Sequence, residues 1–283
     1  MRASYTAAVV AELLRAGIQL DFVAGISAGS SHAVNFISRD PLRARRSFVD
    51  LAADPNFGGL RSWLHGQGFF NSDYLYQHTT GPGEALPFDF ATFFANPARL
   101  YLGAFRVRDG RQVWFGRDQL STPARLMTAV QASSSMPGLM PMVHIDGEDY
   151  VDGALGPTGG IPLEIAEQAG YRKFLVVLSR PRGYRKPPLR GRPFLTRYFA
   201  HQPAIVDALA HRHEHYNQTR DRLLELERQD AAYLFFPDGP LVSNREHRVE
   251  RLAASYAAGE SQIRCELPAI REFLGLPRDL HGS

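Results

Sequence analysis

The sequence of 283 residues has a single cysteine, Cys265, so no disulfide can close within the chain and a cysteine-ligated zinc site is excluded. That usage fits a reducing, cytoplasmic setting. No run of 18 apolar residues occurs, which excludes a helical membrane span and leaves only peripheral contact. A secretory leader is not legible either. The apolar stretch 3–14 carries Glu12 inside it and only Arg2 before it, the pattern of an amphipathic helix. Neither sign of charge dominates, with 32 Lys and Arg against 29 Asp and Glu, and no nucleic-acid-binding module is recognisable. Metal ligands are equally scarce: of His211, His213 and His215 only the first and last share a helical face, with no third ligand nearby. No metal or organic cofactor is expected. Against these absences stand 44% hydrophobic and 11% aromatic residues, enough for one substantial core and too many for wholesale disorder.

Apolar periodicity predicts a helix over 3–14, stopped by Gly17, then a buried strand over 20–24 and a helix over 28–37. Strands are expected over 100–107 and 111–115, and again over 142–145 and 148–151 around the hairpin signal Asp146-Gly147. Residues 123–133 and 161–169 read as helices, and 173–178 as a fully buried strand of the parallel kind. Beyond these come a long charged helix over 205–228, a strand over 232–236 and a helix over 246–258. Helices alternating with strands give an α/β class.

The sharpest local signal is Gly25-Ile26-Ser27-Ala28-Gly29, a G-x-S-x-G between strand and helix. Such a turn lifts a serine clear of the sheet in a strained conformation, and flanking glycines keep side chains out of its way. The helix that follows aims N–H groups, that of Ala28 included, at a developing oxyanion. A serine at its ordinary pKa needs a base. Histidines such as His201, His211, His213, His215 and His247 lie in or beside charged helical stretches rather than strand-end loops, and an aspartate acting directly is the alternative.

Two further segments carry a resemblance: Ala132-Ser133-Ser134-Ser135-Met136-Pro137-Gly138-Leu139-Met140-Pro141, and Tyr150-Val151-Asp152-Gly153-Ala154. With the serine turn, in this order, they resemble the patatin-like phospholipases, whose members carry G-x-S-x-G, an A-S-S-x-x-P-G-x-x-P segment and a D-G-A/G motif, and look like a bacterial subgroup of that family. The resemblance implies a three-layer αβα sandwich with a mostly parallel central sheet, and a hydrolase that cleaves acyl esters of lipids with a Ser27–Asp152 dyad and no metal. Residues 1–179 would form the catalytic domain, 180–200 a basic, Pro-rich linker, and 201–283 a small, mostly helical α/β extension. Gly25, Gly29 and Ala28 would shape the turn, with Gly153, Ala154, Pro137 and Gly138 in support. The family's glycine-rich oxyanion loop would place its arginine at Arg2, with a strand and the loop's glycines upstream of Met1. Two other readings remain: a silent lipid-binding homologue lacking an oxyanion hole, and a conventional Ser-His-Asp esterase.

From Arg180 to Arg197 there are seven basic residues, no acidic ones and four prolines, a solvated loop that could also meet anionic lipid alongside Phe194, Tyr198 and Phe199. Trp63, Phe69, Phe70 and the Phe93-Phe94 pair are expected in a core or an acyl cleft.

Overall fold

A computed structural model describes residues 1–58, 70–189 and 191–277, without the side chains of 192–194. Trp63, Phe69 and the Phe194 side chain therefore lie outside the described residues. The helices are α1 (Ser4–Arg15), α2 (Ala28–Ile37), α3 (Pro41–Arg46), α4 (Ser72–Gln77), α5 (Phe90–Ala95), α6 (Pro123–Ser134), α7 (Leu163–Gln168), α8 (Arg192–Tyr198), α9 (Pro203–Arg228) and α10 (Val249–Leu274). The strands are β1 (Phe22–Ile26), β2 (Arg99–Arg106), β3 (Arg111–Gly116), β4 (Val143–Ile145), β5 (Glu148–Asp152), β6 (Phe174–Val177) and β7 (Ala232–Phe235).

Strand alternation sorts the core into two faces. On one, Val23, Leu100, Leu102, Ala104 and Phe115 pack under α2, α5 and α6, while α1 and α10 cover Val23, Leu175, Val177 and Phe235. On the other, Phe22, Phe174, Leu234 and Phe236 meet α7 and α9. Helices thus lie on both faces, the three-layer α/β arrangement expected from the sequence. Parallel pairing is found between β1 and β2 and between β6 and β7. The sheet is otherwise antiparallel, because β3 returns directly on β2 and the Asp146-Gly147 turn, with positive φ at both residues, folds β5 back on β4. Among the described residues β1 pairs only with β2, and β6 only with β7.

Strand β2 sets the site. One edge carries β3 along Tyr101–Arg106. The other is shared end to end: β1 runs along Arg99–Gly103 and β5 along Ala104–Arg106 in the opposite sense. The carboxyl ends of β1 and β5 therefore meet head-on beside Gly103 and Ala104. Ser27 leaves the first and Asp152 ends the second.

The residues after 179 belong to the same layers. β7 adds to β6, and α10 crosses α1 so closely that a Cβ on Gly259 would strike the Tyr5 carbonyl. That contact also corrects the expected end of this helix near 258: α10 continues through Gly259 and Pro268 to Leu274. Phe70 and Phe93 are core residues, in separate clusters, whereas Phe94 is 40% exposed.

Candidate functional site

Ser27 sits between β1 and α2 with φ 57° and ψ −127°, a conformation that non-glycine residues adopt only at a cost of about 1–3 kcal/mol. Two features hold it there. A Cβ on Gly25 would collide with the backbone of Gly29 and Ser30, so only glycine lets the turn close. The Ser27 N–H donates to Ser133 Oγ at 3.0 Å, and that hydroxyl donates in turn to Gly103 O at 2.6 Å, tying the turn to β2. Gly29 differs from the expectation: a Cβ there meets nothing within 4 Å, so steric need for glycine is confined to Gly25.

The hydroxyl of Ser27 donates to Asp152 Oδ2 at 2.7 Å. Asp152 is 2% exposed, and its second oxygen accepts the Ala154 N–H at 2.8 Å. Its own N–H donates to Ser135 O at 2.8 Å. Gly153 lies against Gly103, where a Cβ would strike the carbonyl, so β5 ends flush on β2. Burial pushes the Asp152 carboxyl above the usual carboxylate range, opposed by the charge of Arg212, the Ala154 N–H, the Ser27 hydroxyl and the charge of Lys186. A carboxylate so placed is a stronger base than one in water, and its oxygen already faces the proton it would take.

The A-S-S segment works residue by residue. Ser133 holds the nucleophile's backbone, Ser134 lies 3.5 Å from Ser30 Oγ, and the Ser135 carbonyl holds Asp152. Pro137 bridges to Met140, and Gly138 turns the chain with φ 78°. Tyr76 of α4 has Ser134 and Ser31 beside its hydroxyl, which burial, with the Asp152 charge adding to it, pushes up. No sequence pattern marks Tyr76, nor Arg212, whose Nε donates to Ala154 O at 2.9 Å.

No histidine among the described residues bonds Ser27 or Asp152. His32 is the one on α2, but its Nε2 lies 2.8 Å from Thr6 Oγ1 and its ring packs on Phe48. Burial pushes its pKa down to about 4, so it is neutral at physiological pH. His211, His213 and His247 turn Nδ1 toward backbone carbonyls of their own segments.

Arg2, half-buried at the start of α1, is lowered in pKa by burial and by Arg180. The segment after β6 is tied to α9. Arg182 pairs with Glu227 at 2.6 Å and Arg185 with Asp221, both on α9. The buried Arg220 donates to the carbonyls of Pro181 and Arg182. Two surface hollows, of about 380 and 430 Å³, lie elsewhere, one beside Phe199 and Pro203 and one beside Tyr101 and Arg117. No described helix is long and apolar enough to cross a membrane.

Comparison with known families gives two matches. The patatin-like phospholipase family matches residues 1–167, and a domain of unknown function (DUF6363) matches residues 202–275. YjjU of Escherichia coli strain K12, described as an uncharacterized protein, is 26% identical over 182 residues, covering 64% of this chain and 49% of YjjU. The chain thus spans about half the length of that relative.

Proposed function

Because the chain belongs to the patatin-like phospholipase family, we propose that it hydrolyses acyl esters with Ser27 as nucleophile and Asp152 as its base. The observation that carries this reading is the 2.7 Å bond from a strained, half-exposed serine to a buried carboxylate. Asp152 takes the Ser27 proton as Oγ attacks the ester carbonyl. The tetrahedral oxyanion meets the N–H of Ala28 at the start of α2, where the helix dipole favours negative charge. As the intermediate collapses, the C–O bond to the alcohol breaks and protonated Asp152 returns its proton to that oxygen. Water then repeats the sequence on the acyl-serine, Asp152 again taking and returning the proton.

This dyad is distinguished from a Ser-His-Asp triad by substitution. Ser27→Ala is expected to abolish p-nitrophenyl ester turnover, while substituting His201, His211, His213, His215 or His247 singly leaves it within a fewfold. Loss of turnover on changing one histidine would hand the base role to that residue.

A further inference from the structure

Four cations from three separate parts of the chain gather around Lys186, and two of them, Arg212 and Lys186, act on Asp152. Arg2 stands two residues before α1, Arg180 and Lys186 lie in the segment after β6, and Arg212 is on α9. All four are half-buried, and none pairs with a carboxylate among the described residues, although Arg182 and Arg185 in the same segment do. Arg212, Lys186 and Arg180 are each held by contacts of their own. Arg212 bonds the Ala154 carbonyl, two residues past Asp152. The backbone of Lys186 exchanges two hydrogen bonds with the Asn217 amide, at 2.9 and 3.0 Å, which docks that loop on α9. Its ammonium stands 5.1 Å from the ring of Tyr216, one turn along from Arg212, and Arg180 stacks on Tyr184, whose ring meets Tyr216 edge-on. On the same stretch of helix, His215 buries Nδ1 without a partner. Lys186 is one of only two lysines in a chain whose other basic residues are arginine.

The charges are mutually unfavourable. Burial, and then Arg212, Arg180 and Arg2, push the Lys186 pKa down to about 8, with Asp152 the carboxylate that opposes them. Arg180 likewise lowers Arg2. Arg212 and Lys186 face Asp152, itself engaged by Ser27 and the Ala154 N–H, and Arg180 and Arg2 crowd Lys186, so positive charge there exceeds that of the described carboxylates. Such an excess is tolerated where an anion of matching charge completes it.

We propose that Arg180, Lys186 and Arg212 form an anion subsite of the acyl-ester site, with Arg2 adding charge beside it, selecting substrates whose alcohol carries a phosphate monoester. This rests on the dyad reading for its place in the reaction. A dianion meets more of this surplus than a phosphodiester bearing a choline, which brings one negative charge and a cation that the cluster repels. Arg180, Lys186 and Arg212 all lie beyond residue 167, where the family match ends, and Arg212 lies within the domain of unknown function. The carboxyl-terminal half thereby gains a task, reading the alcohol side of the ester.

Binding to the Ser27→Ala protein tests this without depending on turnover. The ligands are soluble 1-hexanoylglycerol 3-phosphate, its phosphocholine ester and uncharged 1-hexanoylglycerol, measured by calorimetry. The phosphate monoester is expected to bind about tenfold or more tightly than either of the others, and to be displaced by inorganic phosphate. Adding Lys186→Met or Arg212→Met should each remove most of that preference. Adding Lys186→Arg should keep it and also keep binding level above pH 8, where the lysine parent weakens as its ammonium deprotonates. Equal binding of the three ligands overturns the proposal, as does a preference untouched by both methionine variants, or phosphate binding without discrimination among the lipids. If the preference holds while the unsubstituted protein hydrolyses no ester, the subsite stands and the dyad reading fails.

Discussion

Asp152→Asn is expected to lower ester turnover by on the order of 10³–10⁴-fold while raising the thermal stability of the protein at neutral pH. The two effects have one cause. Asparagine can still accept the Ala154 N–H through Oδ1 and donate through Nδ2 to Ser27 Oγ, but it cannot take a proton, so the nucleophile loses its base with little change in shape. The folded pKa of Asp152 is raised, burial being the largest cause, so ionising it works against the fold. A raised value means that the native state holds the proton more tightly than the unfolded chain does. The stability associated with that proton is present at acid pH and lost as pH climbs through the folded pKa. The gain in melting temperature from Asn should therefore appear above that pKa and vanish below the ordinary aspartate range. Activity should fall on the acid side earlier than for an exposed carboxylate. Melting curves and rate profiles across pH, for both proteins, check the account. A variant that loses activity and is destabilised at every pH would show that Asp152 is instead a structural anchor.

The second large effect concerns the serine turn. Gly25→Ala places a methyl group against the Gly29 carbonyl and is expected to cost about 2–4 kcal/mol of stability. It should also cost about 100-fold in turnover, because moving Ser27 by about an ångström breaks its alignment with Asp152. Gly29→Ala, in the same motif, has open space at its Cβ and a helical position in α2. It should preserve stability or raise it by a few tenths to about 1 kcal/mol. Urea denaturation of the pair decides the matter: equal losses would mean that both glycines are sterically required.

Much of this site is legible in the sequence. A strand, a small-residue turn around Ser27 and a helix are local events, and their spacing follows from short-range sterics. The hairpin that delivers Asp152 was equally local, since Asp146-Gly147 supplies both positive φ angles. What could not be read is how distant pieces share one edge. That β1 and β5 abut along β2, bringing together residues 125 positions apart, is decided by pairing register rather than by either strand's composition. The role of Ser133 was hidden for a related reason, because its hydroxyl serves a backbone N–H on another element. Basic residues followed by prolines gave 180–197 the look of a solvated loop. Its described residues are mostly exposed, but its docking on α9 runs through Arg220, Asp221, Asn217 and Glu227, none of which stands out in a charged helix. Gly259 illustrates the opposite error, a glycine next to an expected helix end that instead permits two helices to touch.

The central claim is that Ser27 is a nucleophile activated by Asp152, and covalent capture tests it most directly. Incubation with a fluorophosphonate, followed by peptide mass mapping, should place one phosphonyl adduct on Ser27. The rate of labelling should fall by on the order of 10³-fold or more in Asp152→Asn and remain near that of the unsubstituted protein when His211 or His247 is replaced. An adduct on another serine, or labelling of Ser27 at an unchanged rate in Asp152→Asn, would contradict the dyad.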